Sequence, residues 1–315
     1  MEKIFDTAII GGGPGGYTAA LYAARARLDT VVIEKMSPGG QMALTDTIEN
    51  YPGFEEGVDG FTLGMKMQQS AERFGAKTEY AEVLSVELTD EIKTVVTSSG
   101  EIRAKTVILS TGADPRELGL PNEKQLIGKG VHYCAHCDGR FYKGKTVVVV
   151  GGGNTAAADA LYLSRIAEKV ILVHRRDTLR ATKIYHEPLL KAENVTFYWD
   201  STVGEIIADE RVTAVKVKNR KTDEENIIPC DAVFVSIGRK PATEFLKDKL
   251  TLDEYGYIPA DETTKTEIPG VFAVGDVRTK ALRQVVTAVS DGANAAYFAE
   301  EYLNEKQMQM SDVRD

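Results

Sequence analysis

The sequence predicts an α/β fold built around two parallel sheets, and three observations lead to that prediction. A strand, a glycine-rich turn, an alanine-rich helix and a second strand follow one another near the start, and the same order recurs in the middle. The length of 315 residues is enough for two compact units with a core each. Together they predict two Rossmann-like dinucleotide-binding domains, one inserted into the other.

The first repeat is "FDTAIIGGGPGGYTAALYAARARLDTVVIEK", with its second strand at residues 30–33. Gly11, Gly13 and Gly16 form a GxGxxG turn, in which glycines permit a tight turn, close approach of a pyrophosphate and close packing of helix on strand. Glu34 ends the second strand, where a carboxylate accepts hydrogen bonds from ribose hydroxyls. This unit therefore suits FAD.

Two proline-bearing connectors, "KTVILSTGADPRELGLP" and "DAVFVSIGRKPATEFL", each follow a strand that ends at glycine. They predict two chain crossings, and hence a discontinuous FAD-binding domain at 1–115 and 245–315. The inserted domain spans 116–244 and is expected to bind NADPH. A short strand ending at Gly275-Asp276 and a long amphipathic helix complete the first domain.

The second repeat is "GKTVVVVGGGNTAAADALYLSRIAEKVILVHRR", and Gly151, Gly153 and Ala156 give it the GxGxxA form of the turn. Its second strand, at 170–173, ends not in an acid but in a histidine and basic residues. Planar arginine donors suit a 2′-phosphate, which a carboxylate would repel. An NADPH preference is therefore predicted from His174, Arg175, Arg176 and Arg180.

The stretch "VHYCAHCDGRFYKG" places Cys134 and Cys137 two residues apart in a chain with three cysteines. A zinc site normally needs a second ligand pair, which Cys230 and the histidines do not supply. A permanent staple around so short a loop removes little unfolded-state entropy. We therefore interpret the pair as a redox-active dithiol, because a CxxC spacing lowers a thiolate pKa and keeps a resolving thiol near.

Asp138 follows the second cysteine and has two interpretations: a proton donor to a leaving thiolate, or a turn-forming residue before Gly139. Two dinucleotide folds suggest one bound flavin and one exchangeable nicotinamide, since a hydride must leave one carrier and reach another. Electrons would then pass from NADPH to flavin, to the cysteine pair, and on to an external disulfide.

Composition limits the partners. The net charge of −9 argues against nucleic acid as a partner. Few cysteines and no signal-peptide pattern predict a cytoplasmic protein. No apolar run approaches the roughly 18 residues of a membrane span, so no membrane association is expected. No metal site is expected.

The motifs "GGGPGGYTAALYAARA", "GGQ", "ENYPG", "STGA", "CAHCDGRFYKGK", "GGGNTA", "HRRDTLRA", "IPGVFAVGD" and "RQ" occur in the order and approximate spacing of one family. The chain resembles the low-molecular-weight thioredoxin reductases over almost its whole length. The resemblance implies a homodimeric flavoprotein that uses NADPH to reduce the disulfide of thioredoxin. It also implies that the inserted domain rotates relative to the flavin domain during turnover.

Residue roles follow from the same resemblance. The redox pair falls on Cys134 and Cys137, with Cys137 facing the flavin and Asp138 as the acid. The implied FAD contacts are Gly13, Glu34, Gly40, Gln41, Asn50, Gly112, Gly275, Asp276, Arg283, Gln284 and Val285. The implied NADPH contacts are Gly153, Asn154, Thr155, His174, Arg175, Arg176 and Arg180.

One residue departs from the family pattern: His136 stands between the cysteines where threonine is common. A histidine there either stabilises a thiolate or is an exposed spacer. Three alternative functions also stay open: a relative that takes electrons from ferredoxin, a reductase of another small redox protein, and a nucleotide-binding sensor with an incidental cysteine pair.

Overall fold

The computed structural model describes residues 3–45 and 47–312, and it divides the chain into two compact units. The first unit combines residues 1–114 and 240–315, and the second spans 115–239. The second unit is thus inserted between the two parts of the first.

The strands are β1 (Ile4–Ile10), β2 (Thr30–Glu34), β3 (Lys77–Tyr80), β4 (Val83–Glu87), β5 (Lys93–Thr97), β6 (Gly100–Leu109), β7 (Ala113–Pro115), β8 (Val131–His132), β9 (Thr146–Val150), β10 (Lys169–Val173), β11 (Val195–Tyr198), β12 (Ser201–Ala208), β13 (Val212–Asn219), β14 (Glu225–Pro229), β15 (Ala232–Val235), β16 (Arg239–Pro241) and β17 (Val271–Ala273). The helices are α1 (Pro14–Arg25), α2 (Gly60–Glu72), α3 (Ala135–Asp138), α4 (Asn154–Ser164), α5 (His186–Lys191) and α6 (Val285–Asp312).

The first unit is organised by a sheet in the order β3-β2-β1-β6-β5-β4, with β17 also paired to β6. Strands β1, β2, β3 and the end of β6 run parallel, whereas β4 and β5 form an antiparallel meander onto β6. The central strands are apolar and buried on both faces. Helices α1, α2 and α6 pack on one face, and the β4–β5 meander packs on the other together with Leu246, Leu250 and Ile258. Pro14 at the first helical position begins α1 directly after the glycine turn.

Glycine lets α1 and α6 pack closely in this unit. A side chain at Gly292 of α6 would collide with the carbonyl oxygen of Gly15 and would stand 2.9 Å from the Ala19 nitrogen of α1. A Cβ at Gly15 would lie 3.1 Å from the Ala288 carbonyl oxygen. The amino-terminal ends of the two helices are therefore brought together beside the sheet.

The second unit contains a parallel sheet in the order β11-β10-β9-β15-β8. A separate antiparallel sheet, β12-β13-β14, packs its apolar face into the same core, which includes Val203, Val215 and Ile228. Helix α4 covers the other face through alanines and Leu163.

The predicted fold class is confirmed: each unit has a sheet whose central strands are parallel, with a strand, glycine turn, helix and strand at its centre. The strands predicted at 30–33 and 170–173 are β2 and β10, each one residue longer. The β4–β5 meander and the antiparallel β12–β14 sheet are not part of the sequence prediction. Among the described residues no helix is both long and apolar enough to cross a membrane.

Candidate active site

The first glycine turn joins β1 to α1, and each of its glycines meets a different constraint. Gly11 has a φ of +102°, and a side chain there would collide with the Ser110 carbonyl oxygen at the end of β6. A side chain at Gly16 would collide with the Gly11 carbonyl oxygen. At Gly13, by contrast, nothing stands within 4 Å of a Cβ position. The helix start is therefore open at the point where backbone must approach a ligand.

Glu34 closes this turn. Its Oε2 accepts a hydrogen bond of 2.7 Å from the Gly12 amide, and its Oε1 accepts one of 3.0 Å from the Met36 amide. Each carboxylate oxygen has a second lone pair, so two acceptors stay available beside the turn. Sequence reasoning placed this acid at the end of β2, and the structure brings it against the turn.

The segments after β2 bring further predicted residues to the same place. Gly40 begins a short 3-10 helix, Gly40–Leu44, and a Cβ there would lie 3.5 Å from the Gly13 Cα. The Gln41 side-chain amide donates to the Asp114 carboxylate at 2.7 Å, and the Asn50 side-chain amide donates to the Gln284 side-chain oxygen at 3.0 Å. Gly40 therefore lies beside the turn, and Asn50 contacts the residue that precedes α6.

The start of α6 is held by a buried ionic cluster that the sequence analysis did not include. Asp291 accepts hydrogen bonds from Arg278 at 2.7 and 3.0 Å, from Lys280 at 2.7 Å and from the Gly275 amide at 2.8 Å. Burial by itself raises the Asp291 pKa, but the hydrogen bonds from Arg278 and Lys280 outweigh it, so the pKa lies below its usual range. The cluster fixes Gly275, which has a φ of +71°, and the adjacent Asp276.

Arg283 provides the clearest test of whether this site fits a cofactor. Its guanidinium stacks 4.2 Å from the centroid of the Tyr257 ring, and its buried Nε has no hydrogen-bond partner among the residues that the structure describes. A buried donor without an acceptor is costly, so this atom fits a polar ligand group. Gly112, with a φ of +71° and no atom within 4 Å of a Cβ position, and the half-buried Val285 lie in the same unit.

The second glycine turn joins β9 to α4 with the same backbone plan. Gly151 has a φ of +150°, and a side chain there would collide with the Ser236 carbonyl oxygen at the end of β15. A Cβ at Gly153 would have no neighbour within 4 Å, so this helix start is open as well. Ala156 replaces the third glycine and is fully buried. Both turns therefore fit a pyrophosphate at a helix amino terminus.

His174 occupies the place in this turn that Glu34 has in the first. Its ring lies where a side chain at Gly152 would stand. Burial, and then Arg175 and Arg176, lower the His174 pKa, so the ring is neutral at pH 7. Its buried Nε2 has no hydrogen-bond partner within the described ranges, which again fits a polar ligand group.

The basic residues of the prediction surround this turn. The Arg180 and Ala181 amides donate to the Gly152 carbonyl oxygen at 2.7 and 3.1 Å, so the loop after β10 folds onto the turn. Asn154 accepts from the Thr182 amide at 2.8 Å, and Thr155 follows it in the first turn of α4. The side chains of Arg175, Arg176 and Arg180 are exposed, and none makes an ion pair with a carboxylate in the described part of the chain. They are available for an anionic ligand.

Cys134 and Cys137 form a disulfide with an S–S distance of 2.08 Å, at the start of the short helix α3. The Cys137 amide donates to the Cys134 sulfur at 3.2 Å, and both cysteines are partly exposed. Gly139 lets this segment approach α4, since a Cβ there would lie 2.9 Å from the Leu163 side chain. The disulfide thus sits beside the helix whose amino terminus forms the second glycine turn.

Polar groups that the sequence analysis did not identify flank this disulfide. Asp159 of α4 is buried, which raises its pKa, and accepts a 2.6 Å hydrogen bond from the Ser236 hydroxyl. The ring of His136 stacks on Tyr162 at 4.3 Å, and its Nδ1 lies 3.9 Å from Asp159. Asp138, which directly follows Cys137 in the chain, lies 3.0 Å from His132. An acid on the apolar face of "TAAADALYLS" was the available signal for Asp159.

Cys230 is buried, and burial raises the pKa of its thiol to about 12, in agreement with a residue that has no redox role. Among the described residues, no group of three or more histidines, cysteines and acids could hold a metal ion.

Two nucleotide-type turns and a disulfide beside α4 are the features of a nucleotide-dependent disulfide oxidoreductase. The chain belongs to the pyridine nucleotide-disulphide oxidoreductase family, whose model matches residues 5–292. Among curated proteins, a thioredoxin reductase of Listeria innocua is 48% identical over 305 residues, covering 96% of this chain and 95% of that protein. A thioredoxin reductase of Bacillus subtilis is 44% identical, covering 99% of both.

Solved structures agree with this assignment. The crystal structure of thioredoxin reductase from Streptococcus pyogenes MGAS5005 superposes with a TM-score of 0.89 at 44% identity, covering 96% of this chain and 99% of that one. The resemblance that the motifs indicated is therefore confirmed.

Proposed function

We propose that this chain is an NADPH-dependent flavoprotein that reduces the disulfide of thioredoxin through Cys134 and Cys137. The observation that carries the proposal is the Cys134–Cys137 disulfide in the segment packed beside α4, the helix that follows the second glycine turn. The names of the similar proteins support thioredoxin as the acceptor. We further propose, from the family resemblance, a homodimer in the cytoplasm.

FAD is assigned to the first unit, which the sequence predicts at 1–115 and 245–315. NADPH is assigned to the inserted unit. The Gly11–Gly16 turn, Glu34 and the α6 start with Arg283 would hold FAD. When bound, FAD accepts a hydride from a nicotinamide and passes two electrons to a disulfide. Gly153, Asn154, Thr155 and the arginines after β10 would hold NADPH, with Arg175, Arg176 and Arg180 on its 2′-phosphate.

The cysteines perform the last steps. Two electrons break the Cys134–Cys137 bond and leave two sulfurs, of which one takes a proton and the other is a thiolate nucleophile. The Cys134 thiolate attacks the substrate disulfide and forms a mixed disulfide, which Cys137 then resolves. The substrate leaves as a dithiol, and the Cys134–Cys137 bond is restored.

The exposed arginines at the second turn disfavour ferredoxin as the electron donor, because a ferredoxin-dependent reductase needs no site for a 2′-phosphate. A sensor without turnover is disfavoured by the disulfide beside α4, within the predicted NADPH unit. These alternatives predict no NADPH oxidation in the presence of thioredoxin.

The test is NADPH oxidation by the purified protein with oxidised thioredoxin, followed by absorbance. Wild type should turn over, and the Cys134→Ser, Cys137→Ser double variant should lose at least about 1,000-fold, because the electron path to substrate is cut. Cys230→Ala is the matched control and should turn over like wild type. Turnover in the double variant, or none in wild type, would refute the proposal.

A further inference from the structure

Beside the cysteine pair, His132 at the end of β8 faces Asp138 at the end of α3. The His132 Nδ1 lies 3.0 Å from the Asp138 Oδ2, and the two side chains are only 7% and 18% exposed. A nearly buried histidine and acid at this distance share a charge-assisted hydrogen bond. The resemblance assigned an acid role to Asp138 but gave none to His132.

Packing fixes the His132 ring in this position. The ring stacks on Phe234 of β15 at 5.3 Å between centroids and meets Tyr142 edge-on at 5.2 Å. β8 pairs with β15 in the register that sets His132 opposite Phe234. The imidazole therefore has little freedom to turn away from the carboxylate.

Tyr142 completes a chain of hydrogen-bonding groups. Its hydroxyl lies 2.7 Å from the His132 Nε2. Burial raises the Tyr142 pKa, so the group stays a neutral phenol, which can both donate and accept. It therefore supports His132 whether Nε2 carries a proton or not, while Nδ1 stays directed at Asp138.

We propose that His132 and Asp138 form a dyad that shares one proton and delivers it, through the Asp138 carboxyl, to a sulfur released when the Cys134–Cys137 bond breaks. This inference rests on the proposed function. Two electrons enter the disulfide, the S–S bond breaks, and one of the two resulting thiolates takes the proton from Asp138. That proton comes from the His132 Nδ1: it passes to the Asp138 carboxyl group and on to the sulfur. Asp138 then ends as a carboxylate, His132 ends neutral, and a proton from solvent restores the pair.

Several other charged groups lie near the dyad. Arg211, Asp231 and Lys145 surround Tyr142 from neighbouring elements, and Phe234 contributes no charge. A second histidine–acid contact lies close by: the His136 Nδ1, between the two cysteines in the chain, is 3.9 Å from Asp159. All of these stay in place in the variants below, so differences between pH profiles report the dyad.

His132→Asn separates proton supply from orientation. The asparagine amide can donate to Asp138 from about the position of Nδ1, but it does not titrate. We expect kcat with NADPH and thioredoxin to fall about tenfold at pH 7.5 and to fall further at higher pH, because the asparagine cannot supply the proton that Asp138 passes on. The KM for thioredoxin should stay unchanged. Asp138→Asn should lower kcat at every pH.

A second readout does not depend on turnover. The chain has four histidines, so ring resonances can be followed by NMR, and the signal missing in His132→Asn identifies His132. Removing the carboxylate in Asp138→Asn should move the His132 ring resonances at pH 7.5, because Nδ1 loses the charged group 3.0 Å away.

A His132→Asn pH profile that superimposes on wild type, or His132 ring resonances that Asp138→Asn leaves in place, would overturn the dyad. If wild type shows NADPH–thioredoxin turnover in the same experiment, only this inference has failed. If wild type shows none, the proposed function has failed instead.

Discussion

The two glycine turns differ in the side chain that lies beside them: a carboxylate beside Gly12 in the first turn and an imidazole ring beside Gly152 in the second. Glu34 accepts a hydrogen bond of 2.7 Å from the Gly12 amide, whereas the ring of His174 fills the space beside Gly152. Glu34 is the last residue of β2, and His174 directly follows β10, so the two residues occupy equivalent places in the two βαβ repeats. One backbone plan thus carries two electrostatic environments: an acceptor in the first turn, and a neutral ring followed by exposed arginines in the second.

The largest effect should be on the KM for NADPH when the arginines that follow β10 are removed. In Arg175→Ala with Arg176→Ala, the apparent KM for NADPH should rise about 100-fold, because charge-assisted hydrogen bonds contribute about 1.5–3 kcal/mol each. The KM for NADH should change by less than about twofold, since NADH has no 2′-phosphate. Steady-state kinetics with both nucleotides measures this.

Arg165→Ala with Lys169→Ala is the matched control, because it removes the same charge at the opposite end of β10, where both residues are exposed. Equal increases in KM for the two nucleotides would remove the phosphate assignment.

A smaller effect, on the free energy of unfolding, should distinguish Gly16 from Ala156, the last positions of the two glycine motifs. Gly16→Ala forces a Cβ against the Gly11 carbonyl oxygen, and overpacking of this kind costs about 1–3 kcal/mol. The reverse change, Ala156→Gly, should cost only about 1 kcal/mol through helix propensity. Urea unfolding measures the stabilities, and flavin fluorescence on heating measures cofactor release from Gly16→Ala.

Flavin release at a lower temperature in Ala156→Gly than in wild type would contradict the assignment of FAD to the first turn and NADPH to the second. An unchanged release temperature in Gly16→Ala would contradict it as well.

The smallest effect concerns pH. Burial and the adjacent arginines lower the folded-state pKa of His174, so between that value and about 6.5 the unfolded chain binds more protons at this site. The neutral ring's contribution is complete above pH 6.5 and is lost as the pH falls toward the folded pKa. Thermal unfolding between pH 7.5 and 5 should show a shallower decline for His174→Gln than for wild type. Parallel declines would mean that His174 does not couple folding to pH.

The sequence allowed good prediction of features that depend on neighbours along the chain. The glycine turns, the residues that end β2 and β10, and the cysteine pair are all local patterns, so their spacing alone indicated them. The antiparallel β12–β14 sheet was missed because its pairing depends on turns without a distinctive signature.

Contacts across the fold were less predictable. Ser236 and Asp159 are 77 residues apart, and they meet only because β15 ends beside α4. The contact between His132 and Asp138 depends on α3 turning back toward β8, and Asp291 reaches Gly275 through the packing of α6. Such polar pairs are set by tertiary structure, which no spacing rule in the sequence describes.

The most direct test of the central claim is an anaerobic titration of the purified yellow protein with NADPH, followed by absorbance. Wild type should take up two more electrons than the Cys134→Ser, Cys137→Ser variant, because its disulfide is reduced as well as its flavin. It should then pass them to added thioredoxin. Equal electron uptake by the two proteins would place the cysteine pair outside the electron path and contradict the account.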